Sequence, residues 1–442
     1  GLSEITAFEG KLSTATSSEL VFVIERYQVL TEIFSRILSH ADLKFAADMA
    51  DPATGQYAQG MRETISELSS KLLFVELELG TLPDEHYQNA LKEPQFYHYQ
   101  PWIRVLRSSA PFQLEPRLEQ MLVERSPTGR GAWVRLFDET STALRFPFQN
   151  GEVTEAEILD HMTSPDSAIR REAALSLSAV MSDNLRLFSL ILNVIAKDKE
   201  IDDRWRGFER PVSARNLAND VDDSTVDALS EAVNARAGEI AHRYYQLKAR
   251  WMGSETIAWW DRNAPLPEDN DRRYSWDEAK TIVLDAFAGF DPDMAAIASR
   301  FFDEGWIDAG VRSGKASGAF SHPTVPSAHP FILMNFNGKA RDVMTLAHEM
   351  GHGIHQVLAA ERGYLMAETP LTLAETASVF AEMLAFQALV RDADSLKTKR
   401  FLLAGKVEDM LNTVVRQIAF HNFETVFHDT RRSGEVSAET MS

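Results

Sequence analysis

An apolar stripe that returns every three to four residues runs through most of this sequence. It limits the chain to a fold built mainly from α-helices. Ser17 to His40 carries Val21, Val23, Ile24, Tyr27, Leu30, Ile33, Phe34 and Ile37 on one broad face. Tyr57 to Leu79 follows the same period and ends at Gly80, a plausible helix stop. Glu115 to Ser126, with Pro116 in its first turn, and Ser167 to Ser182 repeat the pattern. Ser224 to Met252 is the longest such stretch, with Ser224 placed to cap it and Gly253 to end it.

Helical pattern fails in two places. Ala264 to Asp271 contains Pro265 and Pro267 and reads as a loop. Val311 to Pro330 carries Gly314, Gly318, Pro323, Pro326 and Pro330, which no helix accommodates. The apolar run Phe331 to Phe336 then reads as a strand, closed by a turn at Asn337-Gly338. It is either a core strand or an exposed edge that pairs with an extended peptide. The soft division at about Asn219 gives a helical, partly lid-like region over 1–219 and a second region over 220–442. The cluster Trp251, Trp259, Trp260, Tyr274 and Trp276 reads as core.

Composition narrows the chemistry. The chain has 442 residues, 45 basic against 65 acidic, for a formal charge of −20. That balance argues against nucleic-acid or anionic-membrane partners, which need a basic patch. No uninterrupted apolar run reaches the length of a membrane span. With no cysteine there is neither a disulfide scaffold nor a thiolate site, so any metal is held by His and carboxylate. No secretory signal is visible, which suits the cytoplasm, although Gly1 is not a natural start and the opening segment reads as incomplete.

One segment concentrates the candidate chemistry: Asp342-Val-Met-Thr-Leu-Ala-His348-Glu349-Met350-Gly351-His352-Gly353-Ile354-His355-Gln356. On a helix, residues four apart lie one above the other. His348 and His352 therefore present two imidazole nitrogens to one ion, at about 2.0–2.1 Å if it is zinc. Glu349 sits a residue further round, beside the metal rather than on it, where it can take a proton from activated water. The neighbouring residues are uncharged, as a buried metal helix requires. Two histidines bonded to backbone carbonyls in an ordinary core helix would be the plain alternative.

A catalytic zinc usually has three protein ligands. Glu361, Glu368, Glu375 and Glu382 are the downstream candidates. Glu375 lies in the apolar stretch Ala374 to Glu382, where an unpartnered carboxylate is costly. It also stands three residues after Thr372, the spacing of a capping box. Glu382, two turns further along the same face, fits an acceptor that orients a ligand histidine. His355 is a substrate-side donor or a satisfied core histidine. Ser313-Gly-Lys-Ala-Ser-Gly318-Ala-Phe320 lacks phosphate-loop spacing and reads as a mobile loop beside the site, with Gly318 its candidate contact.

Four motifs together resemble the oligoendopeptidase F group of the M3, or thimet-type, metallopeptidases. They are Gly314-Lys-Ala-Ser-Gly-Ala-Phe320, His329-Pro-Phe-Ile-Leu-Met-Asn-Phe-Asn-Gly-Lys-Ala-Arg-Asp-Val-Met-Thr-Leu-Ala-His-Glu-Met-Gly-His352, Glu375-Thr-Ala-Ser-Val-Phe-Ala-Glu382 and Val415-Arg-Gln-Ile-Ala-Phe-His-Asn-Phe-Glu424. The likeness is clearest from about Trp251 to Asp429. It implies a mainly α, thimet- or neurolysin-like channel fold with a small β-sheet beside the HExxH helix. It implies one zinc ion per chain on His348, His352 and Glu375, with Glu349 as base, and endopeptidase action on short unstructured peptides. Substrate backbone would lie along Phe331 to Phe336, with the loop from Gly314 to Gly318 closing over it. The resemblance also implies a C-terminal His and Tyr motif, which is not found before Ser442. The alternatives are a metallocarboxypeptidase on a similar scaffold, or a truncated chain that binds zinc and peptides without turnover.

Overall fold

The computed structural model describes residues 1–266 and 272–441. The part of the 264–271 loop from Pro267 to Asp271 lies outside the described residues. The longer helices of the first half are α1 (Ser17–Ala47), α2 (Pro52–Ser70), α3 (Leu73–Gly80), α4 (Gln100–Ser109), α5 (Pro116–Arg125), α6 (Arg130–Ala143), α7 (Ser167–Asp183) and α8 (Leu185–Arg206). The second half contributes α9 (Asp223–Trp251), α10 (Trp276–Ala288), α11 (Pro292–Asp303), α12 (Ala340–Ala360), α13 (Leu371–Arg391), α14 (Leu396–Leu411) and α15 (Gln417–Ser433). A hairpin of β1 (Phe146–Phe148) and β2 (Gly151–Val153) stands apart from a three-stranded sheet of β3 (Ile307–Asp308), β4 (Phe320–His322) and β5 (Phe331–Leu333). The mainly helical architecture and the small sheet beside α12 are those read from the sequence.

Local chemistry accounts for the helix ends. Thr16 accepts from the Glu19 amide and Glu19 returns the bond, which starts α1. Asp51 accepts the amides of Ala53 and Thr54 at the start of α2, with Pro52 in its first turn. The predicted single helix over Tyr57–Leu79 is two helices, broken at Lys71-Leu72. Leu72 turns inward there and is 1% exposed, so packing overrides local pattern. Gly80 is the last helical residue rather than the stop, and a side chain there would meet the Leu106 carbonyl at 3.0 Å. Helix α9 begins one residue before Ser224 and ends before Gly253, whose φ of 73° carries the chain out.

Two cores result. The first gathers Leu20, Ile24, Val75, Leu79, Phe96 and Ile103, and reaches Leu365 and Met366 just after α12. The second gathers Val283, Phe287, Phe301, Trp306, Ile332, Leu346, Met350, Ala381 and Ala385 around α12 and α13. The tryptophans do not form one core cluster. Trp259 is 54% exposed, whereas Trp276 packs edge-on to Phe336 in the second core. Helix α13 is long and apolar enough to cross a bilayer by length and composition. In this fold it lays Ala381 and Ala385 against α12 and carries Glu375 and Glu382.

The sheet order is β3-β5-β4, with β3 parallel and β4 antiparallel to β5. The apolar run that reads as a strand over Phe331 to Phe336 is therefore the central strand, and it ends at Leu333. Both flanks of it are used, so no peptide can add to it as an extra strand. A strand inside Val311–Pro330, at Phe320–His322, occupies the edge instead.

The Gly-rich segment is seated on the end of α1. Met49 donates to the Gly314 carbonyl at 2.7 Å, Ala316 donates to the Ala46 carbonyl at 2.8 Å, and Arg312 reaches the Ala47 carbonyl. Gly314, at φ 82°, approaches Asp48 so closely that a Cβ would lie 2.5 Å from its carboxylate. The Lys315 ammonium is buried and bonded to the carbonyls of Asp308, Gly310 and Met334 and to the Asp308 carboxylate. A mobile loop over the whole of Gly314–Gly318 is not what the structure shows. Its first half is pinned, because buried donors and acceptors there are fully paired.

Candidate metal centre

Helix α12 starts where Gly338, at φ 81°, turns the chain under the Tyr274 backbone. Asp342 accepts the amides of Asn337 and Lys339 and closes the helix start. From there Val343, Leu346, Ala347 and Met350 face the core and bring His348, Glu349 and His352 to the opposite rim. Helix α13 crosses close by because Gly351 has no side chain: a Cβ there would lie 2.7 Å from the Ala377 carbonyl, the Ala381 Cβ and the Ser378 Cα. Gly353 gives the same freedom to the Phe301 ring, which a Cβ would meet at 2.6 Å.

The close crossing sets Glu375 against both imidazoles. His348 Nε2 lies 3.2 Å from Glu375 Oε2, and His352 Nε2 lies 3.5 Å from Glu375 Oε1. Among the described residues this is the group of three donors close enough to share an ion, with all donor atoms within 4.8 Å. Ligands about 2.0–2.1 Å from a tetrahedral ion lie roughly 3.3 Å from each other. The two separations from Glu375 bracket that value and all three donor atoms lie within 4.8 Å of one another, so the residues present suit a shared ion with room for a further ligand. Glu375 does not close a capping box. Helix α13 begins at Leu371, and Thr372 spends its hydroxyl on the Asn219 carbonyl.

Each of these groups is electrostatically displaced. Hydrogen bonds from His348 and His352, with Ser378 adding a third at 2.8 Å, hold the Glu375 carboxyl well below the usual carboxylate range. Burial opposes charge on His348, but Glu375, Glu382 and the charge of Glu349 outweigh it and push the imidazole up to about 9. Glu349 is 6% exposed. Burial raises its pKa, against the pull of His348, His352 and a hydrogen bond from the Ser321 amide. A carboxyl whose proton affinity burial raises, beside two donors of a metal site, is suited to accept and return a proton.

Glu382 lies behind His348. Its Oε2 is 3.1 Å from His348 Nδ1 and its Oε1 is 2.5 Å from Lys406 Nζ. Burial works against its charge, but these two partners lower its pKa. Strand β4 is fixed to α12 by Ser321, which donates its hydroxyl to Gln356 at 2.8 Å and accepts the Gln356 amide at 3.1 Å. His355 stands outside the three-donor group and is half-buried. Gly318 is at φ 80° with open space around it, and its carbonyl is held by Asn335. Ser321, Ser378 and Lys406 had no signal in the sequence, except that Ser378 stands one turn after Glu375.

A helical molecule with two histidines and a carboxylate close enough to share one ion, and a buried glutamate beside them, can hold a metal and handle the proton of a water at it. Residues 161–442 match peptidase family M3, and residues 78–146 match the family described as Oligopeptidase F. Group B oligopeptidase PepB of Streptococcus agalactiae is 24% identical over 97% of this chain and 72% of its own length. Oligopeptidase PepF of Bacillus subtilis is 23% identical over 98% of this chain and 66% of its own. The crystal structure of oligoendopeptidase-F from Enterococcus faecium superposes with a TM-score of 0.71 at 20% identity, covering 99% of this chain and 74% of that one. The chain belongs to peptidase family M3, in its oligoendopeptidase F group. Family membership makes it a metalloendopeptidase with peptides as substrates.

Proposed function

We propose that this chain hydrolyses internal bonds of short, unstructured peptides with one zinc ion held by His348, His352 and Glu375. The observation that carries the reading is the spacing of 3.2 Å and 3.5 Å between Glu375 and the two imidazoles. Two nitrogens and one carboxylate suit zinc, whereas calcium and magnesium prefer all-oxygen sites. Zinc bound there would supply Lewis acidity toward the scissile carbonyl and toward water. Glu349 takes the proton of the attacking water and returns it to the leaving amine. The Ser321 amide holds Glu349 in place for both transfers. Glu382 accepts from His348 Nδ1 and so leaves Nε2 free to face the ion.

Substrate cannot lie along β5, which is paired on both flanks. The outward flank of the sheet is β4, where Ser321 is already engaged by Gln356. The backbone leading into β4, around Gly318 and Ala319, is the stretch we assign to peptide contact.

An internally quenched peptide of about ten residues with blocked termini tests the reading, because blocked ends exclude a carboxypeptidase. The parent should cleave it with zinc, and Glu349→Gln should lose about 10²–10⁴-fold in rate while still binding zinc. Equal cleavage by both proteins would remove Glu349 from the mechanism. Cleavage by neither, with zinc bound in both, would mean a zinc-binding chain without turnover.

A further inference from the structure

We infer that Lys406 is a positioning residue for the metal centre: it holds the Glu382 carboxylate in the orientation from which that carboxylate fixes the His348 ring. The inference rests on the metal-site reading above. Glu382 spans two partners with its two oxygens, His348 Nδ1 at 3.1 Å and Lys406 Nζ at 2.5 Å. All three lie on different helices, α12, α13 and α14, so the line of contacts runs from the metal rim across three helices.

Both charged side chains are largely withdrawn from water, Lys406 being 11% and Glu382 14% exposed. A buried pair of this kind is poor at adding stability, since desolvation offsets most of the attraction. Lys406 also stands over the Phe386 ring, one turn after Glu382 on α13, so its Nζ is confined from two sides. With Lys406 in place, one Glu382 oxygen is tied down and the other is aimed at Nδ1. Without it, the carboxylate is free to rotate toward either neighbour and to leave His348 with no fixed acceptor. Partners of this kind commonly change metal affinity by about 10–100-fold when removed.

The experiment measures Zn²⁺ affinity by competition with a chromophoric chelator, at one fixed pH, for the parent, Lys406→Met, Lys406→Arg, Glu382→Gln and the double variant Lys406→Met/Glu382→Gln. Metal-free thermal melts accompany each protein. Lys406→Met should bind Zn²⁺ about 10–100-fold more weakly, and Lys406→Arg should stay within a few-fold of the parent. In the Glu382→Gln background the Lys406→Met change should have little further effect, because its influence passes through that carboxylate. A purely structural brace would lower the melting temperature and leave affinity alone. Parent-like Zn²⁺ affinity in Lys406→Met, or an equal loss in both backgrounds, overturns the inference and leaves the metal site standing. No Zn²⁺ binding by the parent overturns the metal-site reading and this inference together. Should Lys406→Met not fold, Lys406→Gln takes its place under the same criteria.

Discussion

Adding one methyl group at Gly351 should damage the metal centre without touching any candidate ligand. The Cβ of Gly351→Ala would sit 2.7 Å from the Ala377 carbonyl, the Ala381 Cβ and the Ser378 Cα, all on α13. Carbon atoms prefer about 3.5–4.0 Å, so the two helices have to separate by roughly 1 Å. Three contacts on backbone and Cβ atoms leave no flexible side chain to yield instead. Overpacking of this kind costs about 1–3 kcal/mol. The functional effect is larger than that figure suggests, because α12 carries both imidazoles and α13 carries Glu375. Metal-ligand distances tolerate about ±0.2 Å, so moving one helix by roughly 1 Å takes Glu375 out of reach of an ion seated on the histidines. Zn²⁺ affinity should fall by at least about tenfold, comparable with loss of an outer-shell partner. Chelator competition reads the affinity, and urea unfolding of the metal-free protein reads the stability. Parent-like values in both would show that α12 and α13 are not held at this crossing, and the geometric argument for Glu375 would fall with it.

Two further outcomes follow from groups described above. The His348 imidazole, pushed up to about 9, holds its proton at neutral pH in the metal-free protein, and zinc has to displace it. Apparent zinc affinity should therefore rise by about tenfold per pH unit up to about pH 9 and then level off, with one proton released on binding, and a flat profile between pH 7 and 8.5 would show that the imidazole is already neutral there, against its charge pairing with Glu375 and Glu382. Lys315→Met would strand the carbonyls of Asp308, Gly310 and Met334, at a cost of about 2–4 kcal/mol read by urea unfolding, and an unchanged midpoint would show that water reaches them.

Patterns local in the chain were legible in advance, and patterns made by distant residues were not. The HExxH spacing places His348, Glu349 and His352 on one helix rim by geometry alone. Glu375 was detectable because an acidic residue in the apolar run Ala374–Glu382 needs a partner. Its rival role, closing a capping box with Thr372, follows from equally sound local chemistry. It fails because Pro370 moves the helix start and the Thr372 hydroxyl goes to Asn219. Phe331 to Phe336 reads as a strand, but its place in the sheet depends on Ile307–Asp308, a two-residue partner with no strand pattern of its own. The break at Lys71-Leu72 is hidden for the opposite reason, since the apolar period continues across it. Lys406 lies 24 residues from Glu382 on another helix, a separation that no periodicity encodes.

The seat of the Gly-rich segment on α1 has a consequence for the order in which the molecule is assembled. Arg312 bonds to a carbonyl 265 residues earlier in the chain, and the Gly314 and Ala316 bonds to Met49 and Ala46 span similar separations. During synthesis, the end of α1 emerges long before the residues that will rest on it. The edge strand β4 follows directly from that seat, and Lys315 ties the seat to Met334 just past the central strand. The sheet beside the metal helix is therefore completed late, after closure of a loop of 265 residues. Such non-local closure is slow compared with helix formation. A nascent chain released before residue 312 would hold α1 with its acceptors uncovered.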